Sequence, residues 1–392
     1  MLKIKQQLNI FSATKRPVVA LSATLFAVLT MLGSAMAEAV PGSYGLKVYK
    51  VESALYPYVQ VYFRTFDESQ QPLVNLNELN VGLMVKGKSY DPAKRQYRLN
   101  SIRQRKEGTR SVLVLDTSAS MAGNSFEAAL KAVARYIDSK RPQDEITVLT
   151  ISDKGNKTGY NIVSEFERDP AALGRRIADI KADSKQSRIY DTIGAGMQMC
   201  GMSSQGSVTP ALDNHIISCS VVVFSDGKDE GSALSREELN GRISALNLPI
   251  PIYSLAYSKN NKDFKNLESI SKNSFGIYYP IGESVDRMQP TVEQIQNILQ
   301  SDYVLTFRSA IPVDGEEHAI KVGVEYPTGS GKYTYESAKM EAVEPPPAPA
   351  ILSAIAELNN LIPALPEGAT PYFDLKAPAA AAAPAPAAAP KQ

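Results

Sequence analysis

The sequence predicts an α/β fold, namely a Rossmann-like, doubly wound and mostly parallel sheet that is flanked by β-sandwich-like segments. Three observations favour this class. Apolar, β-branched strand patterns alternate with amphipathic helix patterns between residues 108 and 308. The segments on either side are strand-like and lack a helical period. The composition, with 44% hydrophobic and 21% charged residues in a chain of 392, is that of a globular protein.

Residues 1–37 have the pattern of a secretory signal peptide. An apolar run follows a basic start and ends in small residues at Ala35 and Ala37. The basic residues are Lys3, Lys5, Lys15 and Arg16. We expect cleavage after Ala37 and export to the periplasm, the cell surface or the medium. The alternative is an uncleaved N-terminal anchor, although the apolar run is short for a bilayer span. Cleavage would change the formal net charge from +1 to −3 by removing those four charges, so no general attraction to nucleic acid is expected.

The flanks of the α/β region are expected to be β structure. The N-terminal β segment (38–107) contains "GLKVYKV", "YVQVYFRTF" and "NVGLMVKG", separated by turn residues. Strand-like "YVLTFRS", "HAIKVGVEY" and "KYTYESAKM" follow from residue 303, and the C-terminal β segment is placed at 309–343. Together the flanks supply about seven strands, a usual number for a sandwich. Either they complete one sandwich with the α/β domain inserted between them, or they form two small β modules.

The α/β domain is placed at residues 108–308. Its predicted strands are 111–116, 145–152, 217–224 and 251–257. A helix over 125–139 is predicted from the apolar stripe Phe126, Leu130, Val133 and Ile137. Further helices are predicted to begin at the N-cap and proline pair Asp169-Pro170, at residue 189 (189–202), and at the capping box Ser235 to Glu238. Near-continuous apolar strands that alternate with helices indicate a mostly parallel sheet covered on both faces.

Residues 344–392 form a Pro/Ala-rich tail. Proline every few residues prevents regular helix or sheet, so the tail is expected to be an extended spacer. The apolar stretch "ILSAIAELNNLI" (351–362) is the place in it where a docking helix could form.

The chain has two cysteines, Cys200 and Cys219. In an exported protein such a pair is more often a disulfide than a redox or metal site. Cys200 lies about 11 residues into the helix that begins near 189, roughly 17 Å below the edge where that helix starts. Cys219 precedes Asp226 by seven residues on a strand that climbs to the same edge, a depth of about 23 Å. These depths are close enough for a bridge, and two free buried cysteines are the alternative.

Small oxygen-bearing side chains follow the first strand of the α/β domain. "VLVLDTSASM" places Asp116 at the carboxyl end of that strand, with Ser118 and Ser120 in the next loop. Asp226 ends the strand "VVVFSDG" at the same edge. Ligands of parallel α/β sheets collect at this edge. Hydroxyls with few carboxylates suit a hard cation such as Mg²⁺, whereas a plain helix N-cap would explain one or two of these residues.

This arrangement resembles the metal-ion-dependent adhesion site of von Willebrand factor type A domains, which reads D-x-S-x-S, then Thr, then Asp. The first segment matches fully and the last matches in "SDG". The middle segment, T-x-L-Y-D-x-I in bacterial members, is "SRIYDTI" here, with Ser187 at the Thr position. Thr192 is the rival candidate, although it falls within the following helix. The resemblance covers roughly residues 108–308, and the β flank is similar to that of secreted bacterial members.

The resemblance implies a metal site of Asp116, Ser118, Ser120, Ser187 and Asp226. It implies Mg²⁺, or another divalent cation such as Mn²⁺ or Ca²⁺, with a position left for an acidic side chain of a protein partner. The nearby loops 121–125, 183–188 and 228–232 would then set partner choice, or be plain solvated turns.

Three other classes of function are less favoured by the sequence. A structural scaffold of the same fold without metal-mediated binding is the main alternative. An aspartyl-phosphate phosphatase with Asp116 as nucleophile is remote, because Ser118 stands where such enzymes carry a second acid. A serine hydrolase is disfavoured, because neither His215 nor His318 lies near a strand-end serine and G-x-S-x-G is absent from the sequence.

Overall fold

The computed structural model describes residues 45–68, 71–151, 158–202, 216–246, 249–257, 263–327, 329–347, 349, 351 and 363–369. The predicted signal peptide and all but the first residue of the predicted docking helix lie outside these residues, as does most of the Pro/Ala-rich tail. None of the helices in the described part of the chain is both long and apolar enough to cross a membrane.

The described residues contain fourteen strands and six α-helices. The strands are β1 (Gly45–Leu55), β2 (Tyr58–Phe66), β3 (Val81–Val85), β4 (Lys88–Tyr90), β5 (Tyr97–Ser101), β6 (Gly108–Asp116), β7 (Glu145–Ile151), β8 (Tyr160–Glu167), β9 (Ile216–Ser225), β10 (Ile252–Ala256), β11 (Tyr278–Pro280), β12 (Tyr303–Arg308), β13 (Glu317–Glu325) and β14 (Tyr333–Glu341). The helices are α1 (Asn124–Asp138), α2 (Pro170–Ile177), α3 (Ile189–Met202), α4 (Arg236–Ser244), α5 (Phe264–Asn273) and α6 (Met288–Gln300).

A six-stranded sheet forms the centre of the α/β region, in the order β11-β10-β9-β6-β7-β8. Its neighbours are parallel except for β8, which pairs antiparallel with β7 at one edge. The four predicted strands correspond to β6, β7, β9 and β10, and the mostly parallel sheet is confirmed. Neither β8 nor β11 is among the strands predicted from the sequence. The first is an edge strand with only partial burial, and the second has three residues.

Helices cover both faces of this sheet. On one face, α1, α2 and α6 pack through residues such as Phe126, Leu173 and Val292. On the other face, α3, α4 and α5 pack through residues such as Ile193 and Leu239. The predicted doubly wound arrangement is therefore confirmed, and it leaves the carboxyl ends of β6 and β9 as an edge between two helical layers.

Two helix starts show how local sequence sets the boundaries. The Asp169 side chain accepts a hydrogen bond from the backbone N–H of Ala171 at 2.9 Å, directly before α2. Before α4, the Ser235 hydroxyl accepts from the N–H of Glu238 at 3.1 Å, while the Glu238 carboxylate accepts from the N–H of Ser235 at 2.7 Å. Both caps satisfy donors that a helix start leaves unpaired, as the sequence predicts.

Strands from both flanks form two four-stranded antiparallel sheets, β1-β2-β12-β5 and β14-β13-β3-β4. A common apolar core joins them through residues such as Val61, Leu83, Leu305 and Val322. β12 is the strand of "YVLTFRS", which was counted among the flank strands although the α/β domain was extended to residue 308, and it pairs with β2 and β5. An apolar strand after a helix looks the same in sequence whether it returns to the parallel sheet or leaves it. The boundary at 308 is therefore one strand too late.

A buried ion pair joins this sandwich to the α/β region. The Arg64 guanidinium on β2 donates through Nε and Nη2 to the two carboxylate oxygens of Asp302, at 2.8 and 2.7 Å. Its Nη1 donates to the Tyr253 hydroxyl on β10 at 2.7 Å. Asp302 is completely buried and Arg64 is 6% exposed. Because a planar guanidinium fixes the geometry of both contacts, this cluster sets the position of β10 and of Asp302, two residues after α6, against the sandwich.

The predicted disulfide between Cys200 and Cys219 is confirmed. It links the end of α3 to β9, with 5.5 Å between the two Cα atoms. We expect the Cys200→Ala/Cys219→Ala variant to lose roughly 3 kcal/mol of unfolding free energy, because the bridge restricts the unfolded chain. Urea denaturation of the oxidised wild-type protein and of the cysteine-free variant measures this loss. Two alkylated cysteines in the unreduced wild-type protein, found by mass spectrometry, would show that the bridge does not form.

Candidate metal centre

The register of the parallel sheet places the predicted site residues at one edge. Leu115 on β6 pairs with Phe224 on β9, so that Asp116 and Ser225 end adjacent strands and Asp226 follows directly. After β6 the chain makes a short 3₁₀ turn over Ala119–Met121 before α1 begins. The carboxyl ends of two central strands and one following loop thus converge on one point.

The five predicted residues lie together and are joined by hydrogen bonds. Ser187 Oγ donates to Asp116 Oδ2 at 3.3 Å, and the backbone N–H of Ser118 donates to Asp116 Oδ1 at 2.9 Å. The hydroxyls of Ser118 and Ser120 are 3.0 Å apart. Ser120 Oγ donates to Asp226 Oδ2 at 2.9 Å. The structure therefore collects two carboxylates and three hydroxyls from three separate segments of the chain.

Ser187, and not Thr192, belongs to this cluster. Ser187 is 2% exposed, and its carbonyl oxygen accepts from the backbone N–H of Glu230 at 2.6 Å, which fixes the loop before α3. Thr192 lies one turn inside α3, where its hydroxyl donates to the carbonyl of Arg188 at 2.8 Å. That bond holds the Thr192 hydroxyl against its own helix.

Ser225 is a residue of the site that the sequence analysis did not single out. It is completely buried, and its hydroxyl donates to Asp116 Oδ2 at 2.6 Å while accepting from the N–H of Gly227 at 3.0 Å. Gly227 has a φ of +82°, a left-handed conformation that glycine adopts without strain. A small polar residue at the end of the apolar run "VVVFS" was the available signal.

The loop after Asp226 is attached to the start of α3. Asp229 Oδ1 accepts from the N–H of Ile189 at 2.9 Å, and Ser232 Oγ accepts from the N–H of Tyr190 at 3.1 Å. In return, Asp191 Oδ1 accepts from the N–H of Leu234 at 2.9 Å. The predicted loop 228–232 is thus partly a helix cap. By this contact the segment that carries Ser187 is held beside the one that carries Asp226.

Burial and neighbouring groups shift the pKa of the Asp116 carboxyl. Its complete burial raises the pKa of the carboxyl to about 6, and the nearby Asp226 carboxylate also raises it. Hydrogen bonds from Ser225 and Ser118 oppose this by favouring the charged form. Two carboxylates in a cluster of low exposure are a setting in which a cation would be stabilised.

The donor set fits a hard divalent cation. All five side chains offer oxygen, and hydroxyls with two carboxylates match the ligand preference of Mg²⁺, which retains water when it binds to proteins. Among the residues that the structure describes, no cluster of three or more His, Cys, Asp or Glu side chains could hold a metal ion. Serine hydroxyls are therefore needed to complete any cation site built on this pair of aspartates.

Comparisons with known proteins agree with this architecture. Residues 111–228 match the family model described as von Willebrand factor type A domain. The chain is 22% identical to inter-alpha-trypsin inhibitor heavy chain H3 of Rattus norvegicus over 200 residues, half of this chain and 22% of that protein. For the Mus musculus protein the identity is 22% over 194 residues, 48% of this chain and 21% of that one. The chain thus spans about a fifth of the length of these relatives.

Among solved structures, the chain is similar to a von Willebrand factor type A protein from Catenulispora acidiphila. The TM-score is 0.42 at 10% identity, with 79% of this chain and 75% of that one covered. Domains of this family mediate protein–protein interactions and often bind a divalent cation. By the match of its residues 111–228, this chain contains a von Willebrand factor type A domain.

Proposed function

We propose that this is an exported, non-enzymatic protein that binds a protein partner through a divalent cation, held by Asp116, Ser118, Ser120, Ser187 and Asp226. The observation that carries this proposal is the convergence of five oxygen-bearing side chains from three segments at the carboxyl edge of the sheet. Mg²⁺ is the favoured cation, and Mn²⁺ or Ca²⁺ could replace it in the same donor set.

The solvent exposure of the five side chains indicates from which side a partner can reach the site. Asp116, Ser118 and Ser187 are at most 2% exposed, and Asp226 is 8% exposed, whereas Ser120 is an exposed residue. A partner would therefore approach from the side of Ser120 and Asp226. The residues on the buried side position the cation and exclude water.

Charge favours an acidic partner. Two aspartates offset the charge of a divalent cation with little excess, so a carboxylate of another protein can still gain energy by approaching it. A site of four carboxylates would repel such a group. The partner is therefore proposed to offer an aspartate or glutamate side chain.

Two observations support export. The N-terminal sequence has the pattern of a secretory signal, and the Cys200–Cys219 bridge is of a kind that persists in oxidising compartments and is rare in the cytosol. The periplasm or the cell surface of a bacterium is the proposed location.

A scaffold that binds no cation is the second candidate function. It is favoured by the hydrogen bonds that Ser120 and Ser187 already make to the two aspartates, which satisfy the cluster internally. Capture from an extract of the exported fraction separates the two. The metal-bound protein should retain a partner that EDTA releases and that Asp226→Ala fails to retain. A partner that stays bound in EDTA would contradict contact through the cation.

Ser187 and Thr192 are the two candidates for the threonine position of the motif, and their contributions to Mg²⁺ binding can be compared by substitution. We expect Ser187→Ala to weaken Mg²⁺ binding by about tenfold or more, since it removes an oxygen next to Asp116. Thr192→Ala removes a hydroxyl bonded within α3 and should leave the affinity unchanged. Calorimetric titration with MgCl₂ measures both. Equal affinities in the two variants would remove Ser187 from the proposed ligand set.

A further inference from the structure

Tyr257 lies at the same edge of the sheet, beside the proposed cation site. It follows the last residue of β10, and Ala256 pairs with Ser225 in the parallel ladder. The backbone N–H of Tyr257 donates to the carbonyl of Ser225 at 3.2 Å. The next residue on the neighbouring strand is Asp226, so Tyr257 and Asp226 are neighbours across the end of two strands.

Side-chain alternation puts both residues on one face of the sheet. Tyr257 packs in the same apolar core as Leu255 and Phe224, the face that α1 and α6 cover. Since side chains two positions apart share a face, Asp226 extends the row of Phe224 on that side. The Tyr257 ring therefore lies in the core on the same face of the sheet as Asp226.

The hydroxyl of Tyr257 combines burial with nearby negative charge. The side chain is completely buried, and among the described residues its hydroxyl has no hydrogen-bond partner. Burial raises the pKa of Tyr257 well above its ordinary value, and the charges of Asp116 and Asp226 raise it further. A tyrosine hydroxyl is a hydrogen-bond donor, and the two aspartates are charged groups near it.

Two other fully buried tyrosines of this domain, Tyr136 and Tyr253, have a partner for the same group. The Tyr136 hydroxyl lies 2.8 Å from that of Ser111, and the Tyr253 hydroxyl accepts from Arg64 at 2.7 Å. Phenylalanine would fill the space of Tyr257 without the cost of burying an unpaired hydroxyl. Packing alone therefore gives no reason for the oxygen at position 257.

We propose that Tyr257 is a positioning residue for the cation, donating a hydrogen bond from its hydroxyl to an oxygen of the ligand shell, either an aspartate carboxylate or a water beside it. This role rests on the proposed function, because the ligand shell is that of the proposed cation site. Hydrogen bonds to such outer groups orient ligands and tune affinity.

The Tyr257→Phe variant tests this role with two measurements. After EDTA treatment, its urea midpoint should equal or exceed that of the wild type, because an unpaired buried hydroxyl has been removed. Its dissociation constant for Mg²⁺ should rise by at least about fivefold, the effect of losing one hydrogen bond. Tyr279→Phe is the matched control: the Tyr279 hydroxyl is also buried and unpaired among the described residues, but its charge interaction is with Tyr253. That control should leave the Mg²⁺ affinity unchanged.

Each result is decisive. A wild type that binds Mg²⁺ and a Tyr257→Phe variant with equal affinity would overturn the role of Tyr257 and leave the cation site standing. A variant that loses both its metal-free stability and its affinity would also overturn it, because the hydroxyl would then support the fold. A wild type that binds no divalent cation would refute the proposed function itself.

Discussion

The Asp116→Ala variant is expected to lose all Mg²⁺-dependent stabilisation. Asp116 supplies one of the two charges of the cluster and accepts from Ser225, Ser187 and the N–H of Ser118. A ligand that binds only the folded state stabilises it by mass action, by about 2.7 kcal/mol at a hundredfold excess over the dissociation constant. In thermal unfolding experiments, increasing MgCl₂ should therefore raise the midpoint temperature of the wild type and leave that of the variant constant.

Two further variants separate charge from fold. Asp116→Asn keeps a hydrogen-bond acceptor but removes the charge, and it should also fail to respond to Mg²⁺. Asp138→Ala removes the same charge at the exposed far end of α1 and should respond like the wild type. Circular dichroism in EDTA checks that each variant is folded. A folded Asp116→Ala protein with the wild-type response would exclude Asp116 as a ligand.

Arg64→Ala is expected to lower the free energy of unfolding by about 3–5 kcal/mol, the largest effect of a single substitution that we expect on stability. The substitution leaves the Asp302 carboxylate completely buried without its bidentate partner and removes the donor to Tyr253. Urea denaturation at neutral pH measures the loss. The double variant Arg64→Met/Asp302→Leu should recover part of it, because neither buried charge then remains.

An exposed ion pair provides the control for this prediction. Arg135 on α1 contacts Glu293 on α6 at 2.7 Å, with side chains that are 52% and 48% exposed. Arg135→Ala should cost less than about 1 kcal/mol, since solvent screens such pairs. Equal losses in Arg64→Ala and Arg135→Ala would show that the buried cluster does not hold the sandwich to the α/β region.

Local patterns account for the part of the structure that could be predicted from the sequence. Apolar strands that end in polar residues located Asp116 and Asp226, because parallel strands carry both to one edge. The caps at Asp169 and Ser235 involve residues two or three positions apart, and they marked the helix starts correctly. The depths of Cys200 and Cys219 followed from helix and strand rise alone.

The features that could not be predicted from the sequence depend on contacts between distant segments. The Ser225 hydroxyl reaches Asp116 across 109 positions, and Asp229 caps a helix that begins 40 positions earlier. Nothing local distinguishes Tyr257 from an ordinary core aromatic. Its environment comes from the neighbouring strand, whose register no short pattern contains.

The most direct test of the central claim is a crystal structure of the protein soaked in Mn²⁺, with anomalous diffraction data. Manganese accepts the oxygen ligands proposed for Mg²⁺ and scatters anomalously, so its position needs no assumption about the surrounding side chains. We predict one anomalous peak among Asp116, Ser118, Ser120, Ser187 and Asp226, and no such peak in crystals of Asp116→Ala. The proposed site would be contradicted if crystals at saturating Mn²⁺ showed no anomalous peak at these residues, or showed a peak only elsewhere on the chain.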